Sequence, residues 1–188
     1  MNGSFSDRLG IVRQKIKEII ATSPIETDPF HSIDTEKWVL QLKPDADEAL
    51  CLAARCHDID RAVSRITNSE LKKSDYNQYK KEHAIRSASI MKGMLTGLNF
   101  NKDFIGKISY LVENHEVGGD ADANILCDAD SISYFNDGFD KYLERNGLER
   151  TKNKVSFMYS RASDRASNII KSLDYSNPEL KKIVEEVE

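Results

Sequence analysis

The chain holds four histidines, His31, His57, His83 and His115, and the second is followed directly by Asp58. Asp130 stands fifteen positions beyond the last of them. Imidazole nitrogens and carboxylate oxygens are the donors that hold a hydrolytic transition metal, so an ordered series of this kind points to a metal site. A lone histidine on an apolar helix face is by default a core residue satisfied by one hydrogen bond. The His57-Asp58 pair lifts the series above that default. It closes a strongly apolar segment, where an ionised carboxylate without a partner is costly, and so demands a cation nearby. A metal ion is one answer, and an ion pair with Arg55 or Arg61 is the structural alternative.

The elements that must position these residues read as helices. From Asp7 to Ala21 the apolar positions Leu9, Ile11, Val12, Ile16, Ile19 and Ile20 repeat at helical spacing, with Ser6 placed to cap the first turn. Pro24 and Pro29 predict an extended connector that delivers His31 to the start of a helix over roughly Ser32 to Leu42. A further helix, opened by Pro44 and Asp45, carries the run ALCLAARCHDI, apolar on nearly every side as a central helix should be, and ends at His57 and Asp58. Ser64 to Asp75 is polar and irregular, which predicts a loop over the mouth of the site. Helices over Tyr76 to Thr96 and Lys102 to His115 bring in His83 and His115, the second closed by Gly118 and Gly119. The segment ADANILCDADSISYF predicts a buried helix with Asp130 on it; Asp128, two residues earlier, faces another way, so one of the two serves the site. Beyond Arg150 one helix is expected near Val155 to Leu173, followed by a charged, solvated end.

No segment alternates as strands do and no repeat is present, so the class is all-α. The expected organisation is an N-terminal helix (1–24) packed on a metal-binding helical domain (25–150), with a C-terminal helix and charged tail (151–188). With 188 residues and 39% hydrophobic side chains the chain can bury one substantial core. Lys and Arg number 27 against 31 Asp and Glu, a net charge of -4, so no chain-wide basic field offers an extended nucleic-acid surface. Cys51, Cys56 and Cys127 form an odd set without a CxxC pair; they suit packing as small hydrophobes in a reducing compartment. Met91, Met94, Met158, Tyr110, Tyr134 and Phe135 are expected to be core fillers. The opening residues lack a signal-peptide pattern and no run is long enough to span a bilayer, so the expectation is a cytoplasmic protein without membrane contact. Oligomeric state is not legible in the sequence.

The order His31, His57-Asp58 and then Asp130 after Ala129, over about Phe30 to Phe135, resembles the HD superfamily of metal-dependent phosphohydrolases. The intervening His83 and His115, each on its own helix, are similar to the subset that holds two metal ions. The resemblance implies a single HD-type helical bundle in which His31, His57, Asp58 and Asp130 ligate a first divalent ion. Asp58 would bridge to a second ion held by His83 and His115. Manganese, iron, cobalt, nickel and zinc all suit such ligands, with one or two ions per chain. The implied activity is hydrolysis of a phosphate ester or anhydride, on a nucleotide or another small phosphorylated metabolite, by metal-activated water, with the ions roughly 3.5 to 4 Å apart. Asp58 and Arg61 would be the catalytic residues. Arg61, where many members carry lysine, would clamp a substrate phosphate through its planar fork. Arg86 and Arg161 are further phosphate candidates, beside Lys80, Lys81 and Arg165, and Glu82, Glu116 and Asp128 are candidates for orienting imidazoles. The general acid for the leaving oxygen is not assigned. Two rival readings are a di-iron HD-type oxygenase cleaving a small organic substrate, and a non-catalytic regulatory module with a structural metal.

Overall fold

A computed structural model describes residues 3–65 and 76–187. In chain order the helices are α1 (Phe5–Ile20), α2 (Asp28–Leu42), α3 (Glu48–Cys56), α4 (Ile59–Ser64), α5 (Tyr76–Gly97), α6 (Lys102–Asn114) and α7 (Ala121–Ser133). A π-helical turn (Tyr134–Gly138) then leads into α8 (Phe139–Asn146), α9 (Leu148–Ser160), α10 (Asp164–Ser172) and α11 (Pro178–Glu185). No strand occurs among the described residues, so the class is all-α as the sequence predicts. Nor is any helix among them long and apolar enough to cross a membrane. Most of the segment expected to lie over the mouth of the site, residues 66–75, falls outside the described residues.

Helix α3 is the axis around which the rest is built. Ala49, Leu50, Cys51, Leu52, Ala53, Ala54 and Cys56 are all buried, so the helix is enclosed by α2, α6 and α7 rather than lying on one of them. Small residues at 49, 53 and 54 let those neighbours approach, and Leu50 and Leu52, each fully buried, contribute about 1.5–3 kcal/mol apiece. The exceptions on the helix are Glu48, exposed in its first turn, and Arg55, which reaches Glu36 on α2 at 3.2 Å. Helix α5 lies along α6, and α2 along α7. These two pairings bring His83 towards His115 and His31 towards Asp130.

Several boundaries differ from expectation for identifiable reasons. Helix α1 starts at Phe5 because Ser4, not Ser6, caps it: the Ser4 hydroxyl accepts from the Asp7 N–H at 3.1 Å and the Asp7 carboxylate accepts from the Ser4 N–H at 3.0 Å. Helix α2 starts at Asp28, since Pro29 falls in the first turn, where its missing N–H leaves no bond unmade. His31 is therefore inside the helix. Helix α3 starts after Asp47, whose side chain accepts from the Leu50 N–H, rather than at Pro44.

The C-terminal third is more helical than predicted. The single helix expected over Val155 to Leu173 is two, α9 and α10, parted where the Ser163 hydroxyl caps α10. The π-helical turn and α8 pack a cluster of rings, with Tyr134 against Phe135, Phe139 and Tyr142. The charged end is the packed helix α11, with Leu180, Ile183 and Val184 buried.

Candidate metal centre

The candidate site forms where six helices meet. His31 comes from the first turn of α2, His57 and Asp58 from the junction of α3 and α4, His83 from α5, His115 from the end of α6 and Asp130 from α7. Gly118, at φ +75°, ends the α6 turn just past His115; a side chain there would run into Asn124, 2.4 Å from where its Cβ would stand. Both helix-end histidines are oriented in the same way. The Nδ1 of His57 lies 2.9 Å from the Ala54 carbonyl and that of His115 2.7 Å from the Val112 carbonyl. A carbonyl only accepts, so each Nδ1 carries a proton, and Nε2 is the nitrogen that each ring turns to the centre. His31 Nδ1 rests on Ser133 Oγ at 2.9 Å. A hydrogen bond to the outer ring nitrogen is how metal-ligating imidazoles are oriented.

Among the described residues three groups of donors have atoms within 4.8 Å of one another. They are His31 with His57 and Asp130, Asp58 with His83 and His115, and His115 with Glu116 and Asp130. The carboxylates of the third are engaged by Arg161 and Lys80, so the first two form the centre. Asp58 faces both. Its Oδ2 is 3.5 Å from His57 Nε2 and 3.9 Å from His31 Nε2, whereas its Oδ1 is 3.1 Å from His83 Nε2 and 3.9 Å from His115 Nε2. One carboxylate with an oxygen turned to each group is the arrangement a bridging ligand needs. Asp58 also occupies the N-cap position of α4, where an aspartate ordinarily accepts from the helix N–H groups, yet it makes no such bond.

The donor set fits divalent cations on three counts. Apart from the 3.1 Å contact between Asp58 Oδ1 and His83 Nε2, these two buried atoms and His83 Nδ1 have no hydrogen-bond partner among the described residues. Groups of this kind are paired in nearly all proteins, and a cation between them meets the need of all that face inward. His57 Nε2 and His31 Nε2 stand 3.2 Å apart and converge on Asp130 Oδ1, at 3.4 and 2.9 Å from it. Finally, burial pushes the His57 imidazole down, but Asp58 and Asp130 outweigh it and carry it up to about 10: the two carboxylates draw positive charge to this point. Burial holds His115 down to about 4, in the neutral form that ligates metal.

Residues 13–184 match the family described as a domain of unknown function, DUF4202. The chain belongs to that family. No curated protein and no solved structure matches it. The DUF4202 match runs from within α1 to the last turn of α11, so all six donors and the tail helices lie inside it.

Arg61 in this DUF4202 chain is the ion-pair partner of Asp58, at 2.5 Å from Oδ2, and also reaches Asp28 at 3.2 Å. The structural alternative for Asp58 is thus realised at one oxygen and leaves the other unanswered. Asp58 is held well below the usual carboxylate range: burial opposes its charge, and Arg61 and His57 prevail. Arg61 lines the large cavity beside the donors. The other two phosphate candidates are corrected. Arg86 is committed to Asp60 at 3.0 Å and Glu82 at 3.6 Å and is not part of the cavity wall. Arg161 is buried and spent on Asp130, Glu116 at 2.7 Å, Ser131 Oγ at 3.0 Å and the His115 carbonyl at 3.3 Å, so it fixes a donor instead of facing the cavity.

Of the two aspartates on α7, Asp130 is in the donor group, 2.9 Å from His31 Nε2. Asp128 turns away and accepts from the Ser163 N–H and hydroxyl at 2.8 and 2.6 Å, joining α7 to α10. Arg165 donates to the Leu42 carbonyl, Lys81 is exposed, and Glu82 bonds Gln78 rather than orienting His83. Glu116 is 3.8 Å from His115 Nε2 and is ringed by Lys80 at 3.1 Å and Arg161. Burial first, and then the like charge of Lys154, push the Lys80 ammonium down to about 6.

The cavity encloses about 920 Å³ including its open mouth. His31, Asp130, Arg61 and Glu116 line it together with Tyr79, Lys80, Tyr142, Arg145, Arg150 and Lys154. The last four come from α8 and α9, which sequence reasoning did not connect to the site. The one signal was the four-residue spacing of Arg150, Lys154 and Met158, which sets them on one face of α9.

Proposed function

We propose that this DUF4202 domain is a metal-dependent phosphohydrolase of the HD type, acting on a nucleotide or another small phosphorylated metabolite. The observation that carries the reading is Asp58, one oxygen turned to each of two histidine-containing donor groups, beside a cavity lined by five basic side chains. His31, His57 and Asp130 would hold one ion, and His83 and His115 the second, with Asp58 common to both. Divalent cations bound there supply positive charge against phosphoryl oxygens and make water a competent nucleophile near neutral pH.

The chain's own residues divide the remaining work. Ser133 and the carbonyls of Ala54 and Val112 set the imidazole orientations. Arg161 fixes Asp130. Arg61, steadied by Asp28, is placed to bind a phosphoryl oxygen once Asp58 serves a cation. The cavity takes a small molecule and gives a net basic lining in a chain whose overall charge is negative.

The test is phosphate release from a panel of phosphomonoesters and nucleotides, run without oxygen, on the protein as purified and on His57→Ala. Release by the wild type with loss of at least a hundredfold in the variant supports the reading. Oxygen consumption with an organic substrate and no phosphate release would replace it with an oxygenase. A protein that chelation unfolds and that turns over neither would instead be a module with structural metal.

A further inference from the structure

Around the cavity the unmet hydrogen-bonding needs, apart from those of the metal donors, include two donor groups. The Tyr79 hydroxyl and the Arg145 Nε–H are both shielded from solvent and have no partner among the described residues. Both residues line the cavity. A buried N–H or O–H left without an acceptor is costly, and a ligand rich in acceptor oxygens relieves that cost.

Charge points the same way. Arg61, Arg145, Arg150 and Lys154 outnumber Asp28, Glu116 and Asp130 in the cavity wall, and Asp130 belongs to the metal donors. The basic group from α8 and α9 is held by aromatic faces: Arg145 lies 5.7 Å from the Tyr142 ring centre and Lys154 5.3 Å from that of Tyr134. Lys80 lies over Phe157 and reaches Glu116 at 3.1 Å. The ring contacts fix where Arg145 and Lys154 carry their charge at the cavity wall.

We propose that the cavity binds a compound with two anionic phosphoryl groups, a diphosphate or a bisphosphate, with the second group held by Arg145, Arg150 and Lys154. The assignment of the first group to the metal end rests on the phosphohydrolase reading; the subsite itself rests on the donors and charges of α5, α8 and α9.

The test compares binding of imidodiphosphate and orthophosphate by calorimetry on the full chain as purified, on Arg150→Ala/Lys154→Ala, and on the milder Lys154→Gln. The wild type is expected to bind imidodiphosphate at least tenfold tighter than orthophosphate, and both variants to pull that ratio towards one while keeping their helical circular dichroism and metal content. A ratio near one in the wild type, or one unchanged in a folded variant, overturns the subsite. If the ratio and its loss are observed but no phosphoester is hydrolysed, the subsite stands and the hydrolase reading fails. If esters are hydrolysed and the ratio is flat, the reverse holds.

Discussion

Replacing Arg161 by methionine keeps the apolar stem of the side chain and removes its charge from between Asp130 and Glu116. Both carboxylates are buried, and the guanidinium also bonds Ser131 Oγ and the His115 carbonyl. Breaking a buried pair by deleting one partner costs about 3–5 kcal/mol, because the remaining charge is left uncompensated. Lys80, 3.1 Å from Glu116, shelters that carboxylate, so the loss falls mainly on Asp130. At roughly 2–4 °C per kcal/mol for a chain of this size, the melting temperature of metal-free Arg161→Met should fall by about 6–20 °C at pH 7. Adding a divalent cation should return part of that loss, since the cation takes over as the partner of Asp130. The pH dependence has a definite sign. Burial opposes the charge on Asp130 and on Glu116, but Arg161 outweighs it and holds both below their ordinary range in the folded chain. They therefore stabilise the wild type at neutral pH and lose that contribution as acid protonates them. The gap between wild type and variant should be widest at pH 7 and close as the pH drops below about 4. Scanning calorimetry over this range checks it. A fall of less than about 2 °C at pH 7, or a gap that does not narrow in acid, would refute the role given to Arg161.

Three further outcomes follow from the packing and the donor geometry. His83→Gln should leave a folded protein with one ion per chain where two are expected in the wild type, measured by elemental analysis; an unchanged count would remove His83 from the ligand set. Ile183→Ala should lower the unfolding free energy in urea by about 2–5 kcal/mol, since the side chain is buried under α11; a loss under about 0.5 kcal/mol would mean that the tail is not docked. Cys51, Cys56 and Cys127 are buried, and desolvation raises all three thiols, so a thiol reagent should label none of them until the protein unfolds; rapid labelling of the native chain would contradict the core packing.

The sequence carried the central part of this structure because its signals are local. The apolar run of α3 identifies the enclosed helix, the pair at its end marks the break where Asp58 enters the centre, and Gly118 marks the stop beyond His115. Other features depend on distance in space and were not legible. Arg161 lies on Asp130 and Glu116 only because α10 is tied to α7 through Ser163 and Asp128, and nothing in the spacing of residues 116, 130 and 161 announces it. Arg86, three residues past His83, looked equally able to reach the site, but Asp60 intercepts it. Helix α11 was hidden by composition: its charges dominate the segment, and the buried stripe is only Leu180, Ile183 and Val184. Pro29 misled by one turn, since the residue that breaks a helix interior is equally at home in its first turn.

Elemental analysis of the protein as purified, after refolding checks and with stoichiometry per chain, bears most directly on the metal centre. Two divalent transition-metal ions per chain are predicted, falling to one or none when Asp58 is replaced by alanine. A chain that holds no such ion even after incubation with saturating manganese, iron and zinc would contradict the account, and the convergence of His31, His57, Asp58, His83, His115 and Asp130 would need another explanation.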